Sequence, residues 1–281
     1  MSTATAAPTM ESLNQAMRLP IDDAVLEVQD EGSGAPAVLM LHPFPLAAGV
    51  WDETAATLSK RTRVIRLDLR GLGASGAPPG PYLMEALAGD VAAVLDALRV
   101  ERAIVVGNSL GVMVALAFYR MFAERVLALA LICGRAGADD PPTVRARNDL
   151  AANVEREGSA ALVASHLGRL FAPQTYTEQP ALIERARLMI EASDPRGAAA
   201  VLRGMALRVD SADLLDEIGI PVSVIAGVHD QFISVPEMRA LAGAITGASF
   251  DLLDCGHVPE LEVPLALTAL LEQLIGVVQC S

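Results

Sequence analysis

In Gly107-Asn108-Ser109-Leu110-Gly111 a serine stands between two glycines, after the apolar run Ala103 to Val106 and before the helix-like run Val112 to Tyr119. This reads as a strand, a sharp turn and a helix, with Ser109 at the apex. A serine hydroxyl is a poor nucleophile unless it is exposed, close to a base and faced by donors for an oxyanion. The flanking glycines leave room for the turn, and Leu110 opens the helix with an N–H free to point at developing negative charge.

The rest of the chain supplies a base and an acid. Only four histidines occur, His42, His166, His229 and His257. His257 follows the apolar run Ser249 to Leu253 in Leu253-Asp254-Cys255-Gly256-His257-Val258-Pro259, on a loop suited to projecting an imidazole. Asp230 follows Val222 to Gly227, at the end of another expected strand, where a carboxylate could accept the second ring N–H and fix the tautomer. Asp254, only three residues from His257, is poorly placed to reach Nδ1. His229 is expected to be a loop residue and His166 a surface or pocket-lining one. Asp96 and Asp251 read as solvated charges.

The G-x-S-x-G turn in this setting, with Ser109, Asp230 and His257 in the order Ser, acid, His, resembles the α/β-hydrolase family. That resemblance implies a mostly parallel eight-stranded sheet flanked by helices, with an inserted helical cap. It also implies an oxyanion hole from the amides of Leu110 and of Phe44, in Leu41-His42-Pro43-Phe44-Pro45. Many relatives have glycine where Pro43 stands; Phe44 keeps its N–H, and proline stiffens the turn. The Phe44 ring could wall an acyl pocket, and His42 is expected to tie down neighbouring loops. Asp68-Leu69-Arg70-Gly71-Leu72-Gly73-Ala74-Ser75 is similar to a D-x-R-G-x-G-x-S segment of the family that carries no catalytic group, with Arg70 a structural ion-pair partner. The stretch from Pro78-Pro79-Gly80-Pro81-Tyr82 to Asp96 resembles that of enol-lactonases acting on 3-oxoadipate enol-lactone and of related small esterases. Epoxide hydrolases and haloalkane dehalogenases are disfavoured, because they need a carboxylate where Ser109 stands.

Alternating strands and helices organise the chain. Ile21 to Gln29 reads as an early strand pair or hairpin arm, and the main strands are expected at Val38 to Leu41, Val64 to Leu67, Ala103 to Val106, Ala128 to Ile132, Val222 to Ala226 and Phe250 to Leu253. Residues 1–18 read as a mobile leader, 19–134 with 211–281 as the hydrolase core, and 135–210 as a helical cap. The cap stretch is rich in Ala, Arg and Glu with no convincing strand, and long insertions of this kind tend to be functional lids. Substrate-contact candidates are Phe44, Arg135, His166, Phe171 and Val258. Arg135 could bind a substrate carboxylate or pair with Asp139 or Asp140.

Hydrophobic residues make up 52% of the 281, enough for a substantial core without disulfides or metals. A formal net charge of -13 argues against nucleic-acid partners. Cys133, Cys255 and Cys280 form no spaced metal motif and leave one thiol unpaired, which favours a reduced, cytoplasmic setting. Neither a signal peptide nor a membrane span is expected, and neither is a metal or organic cofactor. The expected partner is a small-molecule ester or lactone, and a homodimer stays open. The reading is a serine esterase or lactonase working through an acyl-enzyme. Its alternatives are a cofactor-free perhydrolase or haloperoxidase, a carbon–carbon bond hydrolase, an amidase, and a non-enzymatic small-molecule receptor.

Overall fold

The strand runs predicted above are consecutive members of one sheet. A computed structural model describes residues 14–280. Its strands are β1 (Asn14–Ile21), β2 (Ala24–Glu31), β3 (Ala37–Leu41), β4 (Val64–Leu67), β5 (Ala103–Asn108), β6 (Val126–Ile132), β7 (Val222–Gly227) and β8 (Ser249–Leu253). They lie in the order β1-β2-β4-β3-β5-β6-β7-β8. β1 and β2 pair antiparallel, β2 joins β4 antiparallel, and all pairs from β4 to β8 are parallel. Every residue of β3, β4, β5 and β7 is buried. A parallel sheet reads as continuous apolar runs because helices cover both of its faces. The outlying β2 instead alternates buried with more exposed positions over its first residues.

The helices are α1 (Asp52–Leu58), α2 (Met84–Ala97), α3 (Leu110–Phe122), α4 (Pro141–Glu157), α5 (Ser159–His166), α6 (Pro173–Glu178), α7 (Pro180–Ala192), α8 (Pro195–Ala206), α9 (Val235–Gly243), α10 (Pro259–Glu262) and α11 (Pro264–Gln279). α1 packs on α11 and α2 on α3. Seven of these helices, α4 and α6 to α11, have a proline in the first two positions. A missing N–H costs nothing there, and the fixed φ suits a helix start.

The leader expectation needs correcting. Residues 14–18 pair with 27–31 in β1, so the first sheet strand begins earlier than residue 19. Polar residues such as Asn14 and Gln15 obscured a strand whose partner is also charged. Residues 1–13 lie outside the described part. The expected hairpin arm is a full two-strand ribbon.

Between β6 and β7 the described chain is helical, as the loss of alternation predicted. α4 packs on α8 and α5 on α7. α8 is seated against the loop after β4. A Cβ on Gly204 would stand 1.6 Å from the Tyr82 carbonyl oxygen, and one on Gly197 would stand 2.5 Å from that of Gly71. The Tyr82 amide bonds Ala200 O at 3.2 Å, and the Gly73 amide bonds Ser193 Oγ at 2.9 Å. Arg70, read as structural, forms a bidentate pair with buried Asp90 at 2.8 and 2.7 Å and also bonds Asp23. Breaking such a buried pair costs about 3–5 kcal/mol.

Candidate active site

Ser109 sits between β5 and α3 with φ 55° and ψ -105°, in the left-handed half of conformational space. The turn closes only because its flanks carry no side chains. A Cβ on Gly107 would lie 2.4 Å from the Gly111 backbone, and one on Gly111 would lie 2.2 Å from Leu41 O. The Ser109 amide bonds Ile132 O at 3.0 Å, which ties the apex to β6. Such backbone strain persists where surrounding structure over-determines it, and it clusters at functional sites.

Asp230 and His257 meet behind this serine. His257 Nδ1 is 2.8 Å from Asp230 Oδ2, with both side chains almost wholly buried. Asp230 Oδ1 accepts the amides of Phe232 and Ile233 at 2.7 and 3.1 Å. Burial pushes the Asp230 carboxyl up, but the charge of His257 and these donors outweigh it and hold the group below its ordinary value. Asp230 thus occupies Nδ1 and leaves Nε2 as the imidazole's other functional nitrogen. Asp254 is engaged elsewhere, 2.9 Å from His229 Nε2 on the surface. His42 is fully buried; its Nδ1 is 3.0 Å from Pro43 O, and its Nε2 accepts the Leu69 amide at 2.9 Å. It ties two loops together as expected.

Ser109 and His257 both line a cavity of about 360 Å³, together with Phe44, Arg135, Arg147 and His166. Leu110 is the first residue of α3, where an N–H has no intrahelical partner. Neither its amide nor that of Phe44 has a backbone acceptor among the described residues. The Phe44 ring meets His166 edge-on at 5.3 Å, His166 stacks on Phe232 at 5.8 Å, and Phe232 lies 4.8 Å from the His257 ring. His166 therefore faces the cavity and not bulk water. Burial, with the nearby charges of Arg147, His257 and Arg169, lowers its pKa to about 3, so it is neutral at ordinary pH.

Two substrate-contact expectations do not hold. Phe171 and Val258 are fully buried and do not line the cavity. Phe171 packs edge-on against Tyr176 at 5.9 Å, and its amide bonds Tyr176 Oη at 3.2 Å. Val258 precedes α10 and faces the core. Apolar character alone does not separate a pocket wall from packing. Arg135 does line the cavity, but its ion pair is with Glu237 at 3.2 Å and its other bond is to Phe232 O. Asp139, offered as its partner, is wholly buried between Arg147 at 2.5 Å and Arg208 at 2.7 Å.

Several residues around the site carried no distinctive sequence signal. Asn108 Nδ2 bonds both oxygens of buried Glu260 at 2.8 Å and His257 O at 3.1 Å. Burial raises Glu260 to about 8. Cys133, with φ 45°, follows β6 beside Asp230 and His257; its sulfur lies within 4.8 Å of side-chain N or O atoms of both. Burial raises that thiol far above its ordinary value, so it is an inert neighbour and not a thiolate. Cys255 is likewise buried and pushed up by burial. Among the described residues no helix is long and apolar enough to cross a membrane.

Residues 36–262 match the family model for the alpha/beta hydrolase fold. The chain is 27% identical over 240 residues to 3-oxoadipate enol-lactonase 2 of Acinetobacter baylyi, covering 85% of this chain and 88% of the relative. A thermophilic esterase from Thermogutta terrifontis, solved with malate bound, superposes with a TM-score of 0.90 at 34% identity, covering 94% of this chain and 99% of the esterase. The enol-lactonase from Burkholderia xenovorans LB400 superposes with a TM-score of 0.87 at 29% identity, covering 92% and 100%. A strand–serine–helix turn, an acid–base pair at strand ends and a match over most of the chain agree: this protein belongs to the alpha/beta-hydrolase fold family.

Proposed function

We propose that this carboxylic ester hydrolase cleaves esters or lactones through an acyl-enzyme on Ser109. The observation that carries the reading is the convergence of Ser109 and His257 on one cavity, with Asp230 hydrogen-bonded to the far side of the imidazole. Ser109 Oγ attacks the carbonyl carbon while His257 Nε2 takes its proton, and the Phe44 and Leu110 amides hold the oxyanion. His257 then protonates the leaving alkoxide, and the C–O bond breaks. Water, deprotonated by the same imidazole, attacks the acyl-enzyme and restores the serine. Asp230 stays ionised throughout, consistent with its lowered pKa.

The walls suggest an anionic substrate. The protein carries a net charge of -13, yet the ionised side chains lining the cavity are arginines: Arg135, Arg147 and Arg169. Arg147 shares the single carboxylate of Asp139 with Arg208, and Arg135 pairs with a half-exposed Glu237. A guanidinium on the cavity wall suits a carboxylate on the acid or alcohol side of the ester, as in a carboxylated lactone. The helical insertion then serves as a cap that selects substrate.

Turnover of short p-nitrophenyl esters, neutral lactones and carboxylated lactones by the wild type and Ser109→Ala tests both levels. Removing a triad serine costs about 10⁶-fold in kcat where the triad operates. Wild-type turnover in Ser109→Ala would refute the mechanism. A preference for long neutral acyl chains would refute the anionic substrate.

A further inference from the structure

The backbone of His257 is held from two directions. Its carbonyl accepts Asn108 Nδ2, from the residue before the serine, and its amide bonds Leu170 O at 2.7 Å, in the helical insertion. The residue before it, Gly256, lies directly against the same segment. A Cβ there would stand 2.5 Å from Phe171 C, 2.6 Å from Ala172 N and 2.7 Å from Leu170 O. Two backbones are in contact with no side chain between them, so the base loop and residues 170–172 have a shared position.

Glu262 joins these two backbones. Its Oε1 accepts the Gly256 amide at 2.6 Å. Its Oε2 accepts the Ala172 amide at 2.8 Å and Thr175 Oγ1 at 2.6 Å. Three neutral donors converge on one half-buried carboxylate that makes no ion pair among the described residues. An acceptor for the start of α6 explains only one oxygen, because Ala172 has no side chain to cap that helix. The other oxygen reaches the base loop. Tyr176 stiffens the far side by donating to Leu167 O at 2.8 Å and accepting the Phe171 amide.

We propose that Glu262 is a positioning residue that clamps the His257 loop to residues 170–175 of the insertion, so that this part of the cap aims the base. The proposal rests on His257 as the general base of the reaction above. Glu262 does not line the cavity, so its loss changes the placement of the base and not the binding of substrate. A displacement of about 1 Å at a reacting group can cost on the order of 100-fold in rate.

Three variants of the full chain, Glu262→Ala, Glu262→Gln and Thr175→Val, are compared by steady-state kinetics, fluorophosphonate labelling of Ser109 and amide hydrogen exchange. Glu262→Ala is expected to lower kcat about 10- to 100-fold with KM within about twofold. Labelling slows in parallel, and exchange quickens in both 170–175 and 255–258. Glu262→Gln retains one acceptor oxygen but turns an NH₂ toward donors, so it recovers only part of the rate. Thr175→Val removes one donor of three, loses a few-fold in kcat and keeps the proposal testable should Glu262→Ala not fold. Unchanged exchange in both segments would overturn the clamp. Faster exchange with wild-type kcat would overturn its role in aiming the base. Wild-type hydrolysis by Ser109→Ala refutes the serine mechanism instead, a result that exchange cannot mimic.

Discussion

The turn around Ser109 and the helical insertion above it are built by different means. At the turn, backbone meets backbone: Gly107 and Gly111 leave no space for a Cβ, and the serine is pinned by β5, β6 and α3. On the exposed faces of the insertion, away from the close backbone contacts at Gly197, Gly204 and residues 170–172, side chains make the ties. Arg185 pairs with Asp52 at 2.7 Å, Arg203 with Glu155 at 2.6 Å and Arg187 with Glu184 and Glu191, all at least partly exposed. Contacts of that kind are worth about 0–1 kcal/mol each. The turn tolerates one geometry, whereas these exposed faces of the insertion can exchange residues and keep their helices. Under the proposed function, chemistry is fixed in the core and substrate choice is left to the insertion.

The acid tests that contrast hardest. Asp230→Asn leaves the shape but presents a donor where His257 needs an acceptor, and kcat is expected to fall about 10⁴-fold. Circular dichroism should show the fold retained. An activity within tenfold of wild type would remove Asp230 from the mechanism.

At the turn itself, Gly111→Ala forces a methyl group into Leu41 O, a backbone atom that cannot swing away. Overpacking of this kind costs about 1–3 kcal/mol or more. Chemical denaturation should show that loss, accompanied by falling serine labelling. A matching substitution on the insertion, Gly168→Ala, meets nothing within 4 Å and should be close to neutral. Equal effects at the two glycines would erase the distinction.

A cap-side change should alter selection without altering chemistry. Arg135→Ala is expected to raise KM for a carboxylated lactone about tenfold, the worth of one charge-assisted hydrogen bond, while kcat on a neutral ester stays near wild type. A uniform loss on both substrates would place Arg135 in stability and not in recognition.

The smallest effect concerns pH. Glu260 has a folded-state pKa raised to about 8, so its contribution to stability is complete below its unfolded value near 4.5 and is lost as pH rises through about 8. The melting temperature should therefore fall by about 3 °C per pH unit between about 4.5 and 8 and level off above that, and Glu260→Gln should flatten that slope. An identical slope between about pH 4.5 and 8 in the variant would show that Glu260 is not the group responsible.

Much of this could be read from the residues in order. Apolar runs bounded by glycine and proline mark parallel strands, since burial on both faces leaves no polar alternation to confuse them. β1 was hidden because an outlying antiparallel strand carries polar residues. Phe171 and Val258 misled because an apolar side chain beside a site can face either cavity or core. Glu262 and Asn108 gave no warning, because one carboxylate or amide in a loop looks like any other until its donors arrive from distant segments.

Sequence alone determined the strand–serine–helix turn, the order Ser109, Asp230, His257, and the helical character of the insertion. Each rests on local stereochemistry, which neighbouring residues dictate. Only the tertiary structure decided that Phe171 and Val258 face the core, that three arginines line the cavity, and that Glu262 joins residues 170–175 to the His257 loop. Those contacts join residues up to about ninety positions apart, and their energies exist only once the chain has closed on itself.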